Sequence, residues 1–451
     1  MARHTPTRLA ASAQRFWTRR LTHTLVLGDA SLDEEPLRTQ NRSLVAGAVL
    51  AVIVVAGCAV LAVIRPQGVP DSAPILLARE SGAMFVRVDA TVHPVANLAS
   101  ARLISHAAAV PVIVSERALA RLARGPSLGI PGAPDAIGQP LVEAPWTVCD
   151  AERTVVSAGG APPPFDPTRT VLATPRGESA STTFLLYDGV RARVDLRERA
   201  VARALRLDGV VPVPVSRALL DTLPEVPPVT APSIPGAGAP SATGPPVGSV
   251  VRVARTDADE FHVVLADGLQ RVGAVAAEVI RAAYRGTGEI ATIDPAAVAA
   301  SRSVDTLSIA EFPSSTTTPV GVADGLAVCV AWRPGGAAVL TGDTARLDTT
   351  GGIALAQADG DGPRIDAVVV PGGRSVYVRS VGATGSALTD GPRFVVTDSG
   401  VVFGVADTDA ATALGLGDRV GTAPWSILAR LPSGPELSIA AASAARDIPS
   451  A

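Results

Sequence analysis

Leu44–Ile64, LVAGAVLAVIVVAGCAVLAVI, runs 21 residues without a charge or a proline. As a helix it is about 31 Å long, matching a hydrocarbon core of about 30 Å. Twelve of the 21 residues are Leu, Ile or Val, and these alone favour insertion by about 4–7 kcal/mol on the translocon scale. The run predicts one membrane-spanning helix, with a segment 1–43 before it and about 385 residues after it. Seven arginines precede the span, Arg38 and Arg42 close to it, and only Arg65 follows it before Arg79. The positive-inside rule leaves the N-terminal segment in the cytoplasm and sends the large remainder across the inner membrane.

A cleaved signal peptide does not fit 43 preceding residues and so long an apolar run. Val55-Ala56-Gly57-Cys58 also spells a lipobox, but six more apolar residues follow Cys58 where a lipoprotein turns polar; lipidation of Cys58 stays open as the rival. Gly47, Ala51, Cys58 and Ala62 fall on one face of the helix, a stripe of small residues that lets a neighbouring backbone approach.

Before the span, Thr7–Leu27 places Leu9, Ala13, Phe16, Trp17, Leu21 and Leu25 at steps of three and four, with Arg8, Arg15 and Arg19 off that stripe. This is a basic amphipathic helix, suited to the inner leaflet or to a partner's helix, with Phe16, Trp17, Leu21 and Leu25 as the docking residues. Asp29–Glu35 is acidic and runs up to Pro36, so the helix is expected to stop before it.

Chemistry is hard to find along the chain. All 39 basic residues are arginine, so no Walker A loop and no lysine Schiff base is available. The net charge of −3 gives no electrostatic reason to expect nucleic acid. His4, His23, His93, His106 and His262 show no metal-ligand spacing, and no metal site is predicted. Gly125-Pro-Ser-Leu-Gly129 matches G-x-S-x-G but lies in a proline loop rather than a strand–turn–helix elbow. Gly415-Leu-Gly-Asp-Arg-Val-Gly421 reads as a helix cap and turn, and Asp359-Gly-Asp-Gly362 as a solvated turn.

Past the span, a strand, a turn and a second strand recur at Met84–Val95, Phe184–Val194, Phe261–Val272 and Phe394–Val405. Asp188-Gly189 and Asp267-Gly268 mark two of these as β-hairpins. An alanine-rich helical stretch follows each, at Ala99–Ile104, Ala200–Leu207, Val275–Tyr284 and Ala410–Leu416. A third element recurs at Pro111–Leu119 and Pro212–Leu219, with looser counterparts at Ile293–Ala300 and Ala423–Leu431. Units of about 50 residues cannot bury a core alone, so they must pack on something. Strand candidates at Trp146–Cys149, Thr170–Thr174, Ala327–Trp332, Ala367–Val370 and Ser375–Ser380 lie between them. The expected division is a linker at 65–81, repeat 1 at 82–133, the first half of a β-rich centre at 134–182, repeat 2 with a Pro/Gly-rich loop at 183–247, repeat 3 at 248–302, the second half of the centre at 303–391, repeat 4 at 392–437 and a tail at 438–451. The fold class is α+β.

RFWTRRLTHTLVLGDA at 15–30, DEEPLRTQNRSLVAG at 33–47 and SGAMFVRVDATVHPVANLASARLI at 81–104 carry a specific resemblance. The sequence resembles EccB, a membrane subunit of the type VII (ESX) secretion system of mycobacteria and related actinobacteria. The resemblance implies one central domain with two repeats on each side. It implies a structural part of a protein-exporting complex, whose external domain forms or gates the outlet and contacts the cell wall. Its partners would be the EccC ATPase, EccD, EccE, the MycP protease and further copies of itself. The family is also described as an ATPase, which implies ATP as ligand, although no residues here are assignable to it. The alternative is an enzyme acting outside the membrane, an ATPase or a cell-wall hydrolase. Cys149 and Cys329 are the two cysteines beyond the span, where thiols oxidise, and the resemblance points to the same pair as a disulfide.

Overall fold

The computed structural model describes residues 8–28, 36–64 and 72–446, apart from short stretches at 142–143, 168–169, 178–181, 256–257, 285–288, 315–316 and 386–390. The expected linker from 65 to 71, the acidic stretch Asp29–Glu35, Thr7 and the last five residues of the tail lie outside the described residues. The chain forms two compact units, Met1–Val69 and Pro70–Ala451.

The first unit holds helices Arg8–Leu27 and Pro36–Ile64. The second starts eight residues earlier than the apolar run. Pro36 opens it: at the first helical position its missing N–H costs nothing and its fixed φ suits the helix. Asn41–Val60 is long and apolar enough to cross a membrane.

In the second unit, a six-stranded central sheet has the order 336–343, 326–333, 146–150, 154–158, 367–369, 353–354. Four further sheets share one plan. A first strand (75–78, 171–175, 250–253, 374–381) pairs antiparallel with the hairpin that follows it. A helix (98–105, 199–204, 274–284, 408–414) then leads to a short strand that joins the first strand in parallel (112–114, 213–215, 291–292, 421–424). A second short helix follows at 116–119, 217–222, 295–300 and 425–428. Local chemistry explains the pieces. Asp188 and Gly189 both take positive φ, 43° and 78°, as a two-residue hairpin turn requires. A Cβ at Gly189 would also lie 2.1 Å from the Ala337 carbonyl. Ser115, Ser216 and Asp294 cap the second helices by accepting backbone N–H groups.

Three boundaries differ from expectation. Ile75–Ala78, expected in the linker, is a strand of the first sheet. Thr170–Thr174 and Ser375–Ser380 are expected in the centre, yet strands 171–175 and 374–381 open the second and fourth sheets. The tail is also structured. Helix 439–442 packs with helix 98–105, and residues 445–446 pair with 127–128.

The cores show how the sheets are joined. The largest unites the central sheet (Trp146, Val148, Val328, Trp332) with the second sheet (Val171, Phe184, Leu219) and the fourth (Val376, Val396, Ile427). A second core packs the first sheet's Ala99 and Leu103 against the fourth sheet's Val395, Phe403 and Leu414. A third brings Val275 and Val279 of helix 274–284 onto the second sheet's Leu185 and Val201. The first and fourth sheets thus pack together, the second and third pack together, and the central sheet joins the two pairs.

Candidate functional site

Helix Arg8–Leu27 presents its apolar stripe uncovered. Phe16 is 56 % exposed, Trp17 60 %, Leu21 55 % and Leu25 82 %. The Arg20 guanidinium stands 5.9 Å from the Trp17 ring centroid, in cation–π range. Exposed apolar groups of this size are the kind that mark protein or membrane contacts. On helix Pro36–Ile64, Gly47, Ala51 and Cys58 are exposed and Cys58 is a free thiol. A Cβ added at Gly47 meets nothing within 4 Å. Ala62 belongs to the helix, but its side chain lies outside the described residues.

The centre of the second unit is held by two cross-strand pairs. Cys149 and Cys329 face each other on neighbouring antiparallel strands, 4.1 Å apart at Cα, and form a disulfide. Three residues along each strand, on the opposite face, Trp146 and Trp332 also face each other and are fully buried. The Trp146 indole donates to the Thr422 carbonyl (3.2 Å) and Trp332 to that of Ala383 (2.8 Å), so neither polar tip is orphaned.

Beside the disulfide is a buried polar cluster that no sequence motif announces. Asp150 accepts from the Ser216 backbone N–H and from the Thr154 hydroxyl (2.7 Å). Arg176 donates to the carbonyls of Pro214 (3.2 Å) and Ala151 (2.9 Å). Asp366 accepts N–H groups from Thr154, Asp359 and Gly360. Burial pushes the Asp150 carboxyl above the usual carboxylate range, against the pull of Arg176. The partners of Asp150 span 66 residues of chain, so no local spacing signals them. A cleft of about 460 Å³ opens here, with Glu152, Val213, Val322 and Asp361 among its lining residues. Among the described residues, no three His, Cys, Asp or Glu side chains gather to hold a metal. Ser127 of the G-x-S-x-G stretch donates to the Pro94 carbonyl, and Gly415 (φ 80°) ends helix 408–414.

One apolar helix ahead of a large, sheet-rich, disulfide-stapled body defines a membrane-anchored protein whose exposed faces suit assembly. The family model described as "Type VII secretion system ESX-1, transport TM domain B" matches residues 3–450, and the chain belongs to this family, the EccB proteins. It is 34 % identical over 477 residues to "ESX-3 secretion system ATPase EccB3" of Mycolicibacterium smegmatis, covering 98 % of this chain and 91 % of that one. It is 31 % identical over 471 residues to "ESX-5 secretion system ATPase EccB5" of Mycobacterium tuberculosis, covering 96 % and 92 %. Among solved structures, a chain of an intact ESX-5 inner membrane complex aligns over 99 % of this chain and 97 % of its own, with TM-score 0.68 and 28 % identity. An EccB3 dimer from the ESX-3 core complex aligns over 82 % and 100 %, with TM-score 0.71 and 32 % identity.

Proposed function

We propose that this chain is a structural membrane subunit of a type VII secretion complex that exports proteins across the inner membrane. The observation that carries the reading is end-to-end similarity to a chain of the intact ESX-5 inner membrane complex, covering 99 % of this sequence. In this reading helix 36–64 spans the membrane, residues 1–43 lie in the cytoplasm, and the sheets lie on the periplasmic side. The arginine excess before the span supports that orientation. Further copies of this chain are partners, as the dimer of a relative suggests. EccC, EccD, EccE and the MycP protease are the other partners, with the helix 8–27 stripe as one docking face. The four outer sheets act as modules on a central domain, forming or gating the outlet and reaching the cell wall. The relatives' names carry the word ATPase; no side-chain arrangement here assigns that chemistry to particular residues, and it forms no part of the proposal.

Isolation of the tagged chain from native membranes in mild detergent tests the assignment. Mass spectrometry should find the other secretion subunits with it; recovery of the chain alone rejects the reading. Protease added outside spheroplasts should digest the sheet-rich body and spare an N-terminal tag. The reverse pattern rejects the orientation.

A further inference from the structure

We propose that the first sheet carries a basic surface that rests on anionic lipid headgroups of the membrane anchoring the chain. This inference depends on helix 36–64 spanning that membrane, as proposed above.

Charge is distributed unevenly along the chain after the span. Residues 72–133 hold six arginines and three acids, net +3, whereas residues 134–451 hold 25 arginines and 34 acids, net −9. The basic portion is the one that follows the apolar helix directly. Only residues 65–72 separate Ile64 from Ala73, the first buried residue of the body. Fully extended at about 3.5 Å per residue, that tether spans about 30 Å. That length lets the first sheet reach the headgroups.

Three of these arginines, Arg117, Arg121 and Arg124, lie within eight residues of chain, with Glu116 beside the first. Helix 116–119 buries only Leu119 and leaves Arg117 exposed, and Arg121 just beyond it is exposed as well. The chain then crosses from strand 112–114 at one edge of the sheet to strand 123–124 beside strand 91–95. There Arg124 pairs with Val92, whose hairpin partner is Arg87. The Arg124 guanidinium lies 5.5 Å from the Phe85 ring centroid. Among the described residues no carboxylate forms an ion pair with Arg117, Arg121 or Arg124. In the second and fourth sheets the equivalent helices, 217–222 and 425–428, are sunk into the largest core. In the first sheet the same element stays at the surface and carries charge.

An anionic leaflet attracts basic side chains within about a Debye length, about 8 Å at physiological ionic strength. It repels the net-acidic remainder of the body. The two effects act in the same direction and turn the first sheet toward the membrane.

The test uses the full chain with Cys58→Ala and Ala120→Cys, so that the one free thiol stands between Arg117 and Arg121. It is labelled with an environment-sensitive dye and reconstituted into vesicles carrying a lipid-borne quencher. One set is neutral phosphatidylcholine, and the other also contains phosphatidylglycerol. Flotation reports anchoring, and quenching reports headgroup contact. The chain should float with both lipids. Quenching should be several-fold greater in the anionic vesicles, and should fall to the neutral level at high salt and in Arg117→Gln/Arg121→Gln/Arg124→Gln. A label at Ala299→Cys, in the acidic part, should stay unquenched. Equal quenching in the two lipids, insensitivity to the triple substitution, or equal quenching at position 299 overturns the headgroup surface. Failure to float with either lipid overturns the membrane span instead.

Discussion

Asp221 and Arg430, 209 residues apart in sequence, form an ion pair that ties helix 217–222 of the second sheet to the turn after helix 425–428 of the fourth. The same carboxylate accepts from Arg191 Nη1 at 2.7 Å, and Arg191 reaches on to Glu225 at 3.1 Å. Arg191 also lies 5.4 Å from the Phe184 ring centroid. The network crosses the join between two sheets that share the largest core, so it fixes how they meet.

Replacement of Asp221 by Ala should lower stability by about 2 kcal/mol, since it removes charge-assisted hydrogen bonds and strips one acceptor from a largely buried arginine. The denaturant midpoint of the purified chain should fall with the slope unchanged. Burial opposes ionisation of Asp221, but hydrogen bonds and charge from Arg191 and Arg430 outweigh it and hold the carboxyl below the usual carboxylate range. A depressed folded pKa means the stabilisation is complete above the unfolded value of about 3.9 and is lost as pH falls through the folded one. The gap between wild type and variant should therefore be full at neutral pH and close only in acid below about pH 4. An equal gap at pH 7 and in strong acid would show that packing, not charge, carries the effect.

The Cys149–Cys329 bond closes a loop with a sequence separation of 180. In the chain-entropy model such a loop stabilises by up to about 5 kcal/mol. Alkylation of the unreduced, denatured full chain should label Cys58 alone; three labels would refute the pairing. Cys149→Ala/Cys329→Ala should lower the unfolding midpoint and bring unfolding of the central sheet forward more than that of the helix before the span.

What repeats locally is legible in the sequence, and what is joined at long range is not. The hairpins at 184–194 and 261–272 were legible because apolar and polar residues alternate about a turn; the first turns at Asp188-Gly189 as expected, whereas the second turns one residue earlier than expected, at Ala266-Asp267, with Gly268 already paired to Leu265. The first strands were harder. Ile75–Ala78 is buried on nearly every residue, so it shows a continuous apolar run rather than alternation. Thr170–Thr174 and Ser375–Ser380 were seen as strands but placed in the wrong sheet, because pairing partners leave no mark on composition. Asp150, Arg176 and Asp366 went unseen for a related reason: each is a single polar residue whose role depends on segments far away in the chain.

Trp17 and Leu21 centre the exposed stripe of helix 8–27. Covering both on a partner would contribute about 4 kcal/mol. Trp17→Ala/Leu21→Glu should leave the far-ultraviolet circular dichroism and the unfolding midpoint of the sheet-rich body unchanged while the other secretion subunits no longer co-purify. Undiminished co-purification and secretion would remove this helix from the assembly.

Ala51 lies one turn after Gly47 on the span, and both are exposed along the helix. Without a hydrophobic drive inside lipid, helices associate where small side chains let backbones approach, and a Leu at that place holds them apart. Cys58 extends the same face two turns further on, so bulk at Ala51 meets a neighbour near the middle of the contact. Ala51→Leu raises the hydrophobicity of the span, so membrane insertion should be unaffected and any loss is one of association. The expected change is about a fivefold weakening of self-association or of subunit association, equivalent to about 1 kcal/mol. Energy transfer between labelled chains in vesicles measures the first, and the yield of the isolated complex measures the second. Leu at Ile53, on another face of the helix, is the control and should change neither. If Ala51→Leu behaves like that control, the small-residue face contacts lipid alone.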